Sequence, residues 1–141
     1  MKPLEAMQAA LAGEHAAVYV YGVIGGRVSL ATHPTLARKV RTAYTVHRGR
    51  RDQLVAMVRV ADGEPVAAGT SYDVPDPATT PPQLTRASLD LEMRCSAVYA
   101  DMVGSTSGAN RQWAIEALSD TAVRQLGFGG EPQPFPGISE L

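Results

Sequence analysis

Glu14, His47, Glu92 and Glu116 are the side chains whose types and spacing could hold metal ions. A two-metal centre inside a four-helix bundle takes one glutamate from each of two helices and a Glu-x-x-His pair from each of the other two. Two cations held side by side repel each other, so the number of carboxylates decides whether such a centre forms. Glu14 and Glu92 are placed to be the lone glutamates. The second segment, however, reads Tyr44-Thr45-Val46-His47 where Glu-x-x-His is required, and the fourth reads Glu116-Ala117-Leu118-Ser119. Tyr44 removes an anion and Ser119 removes an imidazole. The expectation is a polar core with no two-metal centre and no cofactor, although the four remaining side chains could surround one ion if they converge.

Arg51 falls one helical turn after His47 and so lies on the same side of its helix. A buried guanidinium needs a carboxylate, and Glu14 is the first choice for a bidentate pair. A fixed positive charge in that layer would also oppose a divalent cation. Glu14, His47 and Arg51 then form a polar core that sets helix register more than it adds stability.

Other chemistry finds less support. His15 follows Glu14 but points about 100° away round the helix, and His33 precedes Pro34 in a loop. Cys95 is the single cysteine, which excludes an intramolecular disulfide and any multi-cysteine metal site. Gly22, Gly25 and Gly26 lack the GxGxxG spacing of a phosphate loop and read as a close helix contact or a kink. Arg38, Lys39, Arg41, Arg48, Arg50, Arg51 and Arg59 crowd one segment, yet no aromatic residues for base stacking lie among them. They read as a solvated helix face, and no nucleic-acid partner is expected.

Four helix-period segments must position these side chains. Alanine-rich composition, 45% hydrophobic and 19% charged, suits close-packed helices in one domain of 141 residues. The first segment spans 4–31, with Leu4, Met7, Leu11, Val18 and Tyr21 sharing a face with Glu14. The second, 34–60, opens on Pro34 and turns Val40, Tyr44, His47, Leu54 and Val58 inward. Thr80-Pro81-Pro82 reads as a cap and first turn of a third segment reaching about 103, with the stripe Leu84, Ser88, Leu91, Cys95, Val98 and Met102. The fourth runs to about 126 with Ile115, Leu118, Ala122 and Leu126 on one side. The Pro/Gly-rich tail 127–141 follows, and Phe135 and Ile138 are its candidates for docking onto the bundle.

Short links join the first two helices and the last two, so each pair forms an antiparallel hairpin. Residues 61–80 have no sustained period and are long enough to run the length of a helix, leaving helices 2 and 3 parallel. The expected fold is therefore all-α: a ferritin-like four-helix bundle with one long crossover between helices 2 and 3. The N-terminus does not read as a secretory signal, no segment is long and apolar enough for a membrane span, and a lone cysteine fits a reducing cytoplasm. The net charge of −1 provides no global field toward nucleic acid or anionic membrane.

The runs from Glu14 to Gly22, from His47 to Asp52 and from Ala97 to Asp101 resemble an uncharacterised ferritin-like domain family of actinobacteria. The resemblance implies the bundle fold and names no substrate. Two functional readings stand. The first is a non-catalytic binding or assembly module, with a homodimer among the assemblies it allows. The second is a small oxidoreductase, or a ligand-binding protein, using one metal ion or small molecule in the polar core.

Overall fold

The computed structural model describes residues 1–74 and 78–138, so Pro75 and Pro77 of the link and residues 139–141 of the tail lie outside the described residues. Helices α1 (Pro3–Arg27), α2 (Pro34–Val60), α3 (Pro81–Ser105) and α4 (Gly108–Gly127) are the only regular elements among them. None is long and apolar enough to cross a membrane. Prolines open the first three helices, at positions whose N–H would have no helical partner anyway. Thr80 caps α3: its hydroxyl accepts from Gln83 N at 3.4 Å while Gln83 Oε1 accepts from Thr80 N at 3.1 Å. Helix α1 stops at Arg27 rather than at 31, just after the weak helix formers Gly25 and Gly26.

The segment after α2 runs along α1 from its first turn to its last. A Cβ on Gly63 would lie 2.7 Å from Leu4, so the start of the link sits against the start of α1. Next, Gln8 donates to Glu64 O at 2.5 Å and accepts from Val66 N at 2.9 Å. His15 Nε2 lies 2.9 Å from Val66 O, the Tyr19 and Tyr72 rings stand 5.6 Å apart, and Arg27 donates to Ala78 O at 3.0 Å. Side chains of α1 thus satisfy backbone groups that a structureless segment would otherwise leave to water. The chain enters α3 at the end of the bundle where α1 finishes. Helix α3 is therefore antiparallel to α1 and parallel to α2, which makes the fold a four-helix bundle with one long crossover.

Buried positions on α2 are Val40, Ala43, His47, Arg50, Leu54 and Val58. Their spacing of three and four is the seam of helices that pack at a shallow left-handed crossing. Helix α4 differs from expectation by one position. It buries Ala114, Ala117, Thr121 and Gln125, while Ile115 and Leu126 are 40% and 46% exposed. Small side chains let α4 approach α3 closely, and that geometry overrides the larger apolar residues one step round the helix.

Two apolar layers result. Ala17, Tyr21, Ile24, Val40, Leu84, Leu91 and Phe128 belong to one, and Met7, Leu11, Leu54, Val58, Met102 and Ala114 to the other. Full burial of a leucine or methionine stabilises by about 1.5–3 kcal/mol, so these layers carry the stability of the bundle. Between them lies a polar layer. The tail also packs on the bundle, but through backbone: a Cβ on Gly137, at φ +78°, would meet Ser96 O at 2.3 Å. Phe135 and Ile138 are 57% and 46% exposed; the close approach that docks this segment belongs to the glycine between them.

Candidate functional site

Helices α1 and α3 each carry a glutamate and, seven residues later, a tyrosine: Glu14 with Tyr21, and Glu92 with Tyr99. Seven residues are two turns, so each pair lies on one face. Because the helices run antiparallel, each tyrosine meets the other helix's glutamate. Tyr21 donates to Glu92 Oε1 at 2.5 Å, and Tyr99 donates to Glu14 Oε1. Helix α2 inserts His47 between the two carboxylates, with Nδ1 2.6 Å from Glu14 Oε2 and Nε2 3.1 Å from Glu92 Oε1. All three of these side chains are fully shielded from solvent.

Cations surround this pair of carboxylates. Burial pushes the His47 imidazole toward its neutral form, but hydrogen bonds to Glu14 and Glu92 and their negative charges outweigh burial and raise it to about 9. At neutral pH His47 is an imidazolium that donates through both ring nitrogens. Arg50 donates to Tyr99 Oη at 3.3 Å, to Thr121 Oγ1 at 2.8 Å and to Asp120, and its guanidinium carbon sits 5.2 Å from the centre of the Tyr99 ring. Burial works against the Arg50 charge, and Tyr99 and Glu14 more than restore it. Arg124 Nη1 stands 2.9 Å from Asp120 Oδ2 and 3.8 Å from Glu92 Oε2. Three carboxylates thus face three cations, and the layer is neutral as a whole. Among the described residues, the only buried side-chain nitrogen and oxygen atoms without a well-aligned hydrogen bond are Glu92 Oε2 and Arg124 Nη1.

Two hydroxyls and a thiol complete the layer. Burial, then the charge of Glu92, pushes the Tyr21 phenol well above its usual range. Burial likewise raises the Tyr99 phenol and the Cys95 thiol, and Glu14 adds to both shifts. All three groups therefore stay protonated. Gln125 donates to Ser96 Oγ at 2.5 Å and to Glu92 O at 3.4 Å, holding α4 against α3.

Of the side chains singled out from sequence, Glu14, His47 and Glu92 come together, and Arg51 and Glu116 do not. Arg51 does not enter the core; it pairs with its neighbour Asp52 at 2.8 Å and is 28% exposed. The buried arginine is Arg50, because the seam advances by three from His47 at this point rather than by four. Glu116 is exposed and accepts from Gln112 at 2.9 Å. Since α4 buries Ala117 instead, its neighbour Glu116 turns outward. His15 contacts the crossover, and the ring of His33 lies 2.9 Å from Thr32 Oγ1. Sequence reasoning missed Tyr99, Arg50, Arg124 and Gln125. The seven-residue repeat of glutamate and tyrosine was the available signal for Tyr99.

A two-metal centre does not fit this donor set. Both nitrogens of His47 are spent on carboxylates, three glutamate oxygens already accept hydrogen bonds, and the Arg50 cation occupies the same layer. A metal ion would have to displace a proton and break pairs that are mutually satisfied.

Fold and layer together define a class: a four-helix bundle with a long crossover, closed at its centre by a charge-paired core. The chain belongs to the family described as Domain of unknown function (DUF4439), whose model matches residues 6–140. Among solved structures it is similar to a conserved hypothetical protein, rv2844, from Mycobacterium tuberculosis. The two share 25% identity and a TM-score of 0.82, over 90% of this chain and 87% of that one. Comparison with curated proteins finds no match.

Proposed function

We propose that this protein is a non-catalytic binding module, a ferritin-like bundle in which an internally neutralised core stands where a two-metal bundle would place its ligands. The carrying observation is His47, fully buried and bonded through both ring nitrogens to Glu14 and Glu92. An imidazolium has no lone pair to give a metal, and the carboxylates that would bridge two cations instead neutralise His47 and accept from Tyr21 and Tyr99. Such a core fixes the register of α1, α2 and α3 and leaves recognition to the surface. The single buried Cys95 suits a reducing, cytoplasmic setting.

Elemental analysis of protein purified without chelators, together with a ferrous iron oxidation assay, tests the reading. The expected result is no stoichiometric iron or manganese and no accelerated oxidation. About two metal ions per chain, lost on changing Glu14→Ala, would overturn it.

A further inference from the structure

The backbones of α1 and α2, of α3 and α4, and of α1 and α3 pack closely, whereas α2 and α4 stand farther apart. Long side chains bridge the seam between them. Trp113 donates to Gln53 at 2.8 Å, Arg50 reaches Asp120 and Thr121, and Lys39 donates to Gly127 O at 2.8 Å. Toward the end where α4 finishes, the seam opens into a groove of about 370 Å³. Thr35, Arg38, Lys39 and Thr42 line one wall, at the three-and-four spacing of a single α2 face, and Asp120, Val123 and Arg124 line the other. Phe128 is also in the lining and is itself buried.

From this lining we infer that the α2–α4 groove binds a small organic oxyanion, a phosphate or carboxylate carried on a small apolar body. This rests on the binding-module reading and names the ligand class of that module. Arg38 and Lys39 carry the groove's uncompensated positive charge, because Asp120 is already engaged by Arg50 and Arg124 and Arg124 is thereby spent. Arg38 has no ion-pair partner among the described residues. A guanidinium flanked by two threonine hydroxyls is a donor set matched to phosphate or carboxylate oxygens. Val123, 67% exposed, offers apolar contact for the rest of the ligand. The volume is at the small end of the range for small-molecule sites, too small for a folded partner. Arg124 connects the groove to the core, since it also faces Glu92.

Phenyl phosphate is the probe, titrated into the intact protein and followed by backbone amide shifts, with inorganic phosphate run in parallel. Saturable shifts are expected at residues 35–42 and 120–128, with phenyl phosphate binding more tightly than inorganic phosphate. Arg38→Gln should weaken phenyl phosphate by roughly tenfold or more with an unchanged melting temperature, while Arg59→Gln on the far end of α2 leaves affinity unaltered. Absence of saturable binding, shifts elsewhere on the bundle, equal affinity for the two probes, or equal loss in both variants would each overturn the inference. None of these outcomes bears on metal content, so failure here and failure of the non-catalytic reading are separable.

Discussion

Tyr99 of α3 donates its hydroxyl proton to Glu14 of α1, and two helical turns away Tyr21 of α1 returns the same contact to Glu92 of α3. The reciprocity follows from one sequence device, a glutamate and a tyrosine seven residues apart, used on two antiparallel helices. It fixes how α1 and α3 slide against each other, because shifting either helix by a turn separates both pairs. Replacing Tyr21 or Tyr99 by phenylalanine removes a donor from a buried carboxylate. Each change should destabilise by about 1.5–3 kcal/mol in urea unfolding, with native helix content retained.

Arg50 and Arg51 should separate cleanly. Arg50→Ala strips a buried network of its cation and leaves Tyr99, Thr121 and Asp120 short of a partner, a loss on the order of 3 kcal/mol. Arg51→Ala removes a partly exposed guanidinium whose partner is an exposed neighbour, and should change stability by no more than about 0.5 kcal/mol. Paired denaturation curves of the two variants provide the check.

Stability should depend on pH through His47. Its folded value, about 9, is raised above the ordinary 6.5. The pair's contribution is therefore fully present below 6.5, declines as pH rises, and is lost above about 9. Integrated over that window the loss is on the order of 3 kcal/mol. Unfolding free energies measured across it should fall with pH, and His47→Gln should flatten the slope.

Much of this architecture was legible. The proline-led helix starts, the breaker cluster after Val60 and the length of the link sufficed for the helices and their wiring, because each is a local rule read from adjacent residues. Glu14, His47 and Glu92 were legible for the same reason: polar residues on apolar stripes. Arg50 and the inner face of α4 were not. Both depend on which of two neighbouring positions faces a partner helix, and that is decided by the bundle's crossing angle and by how closely Ala114 and Ala117 let backbones approach. Neither quantity is local. The groove along α2 and α4 was hidden for a related reason, since a row of basic residues looks like a solvated face until the opposite wall is in place.

Cys95 should be inert in the native state. It is 3% exposed, and its thiol is pushed up first by burial and then by the charges of Glu14 and Glu92. A small thiol reagent should label it only as fast as the bundle opens, and at once in denaturant. Rapid labelling without denaturant would mean that the polar layer admits solvent.

The most direct test of the closed core is the protonation state of His47, read from the ring nitrogens in a long-range proton–nitrogen NMR spectrum. The expected result is an imidazolium with both nitrogens protonated at neutral pH, unchanged by stoichiometric ferrous, manganous or zinc ions. A neutral ring at neutral pH, or a nitrogen signal that moves or broadens with one equivalent of metal, would contradict it.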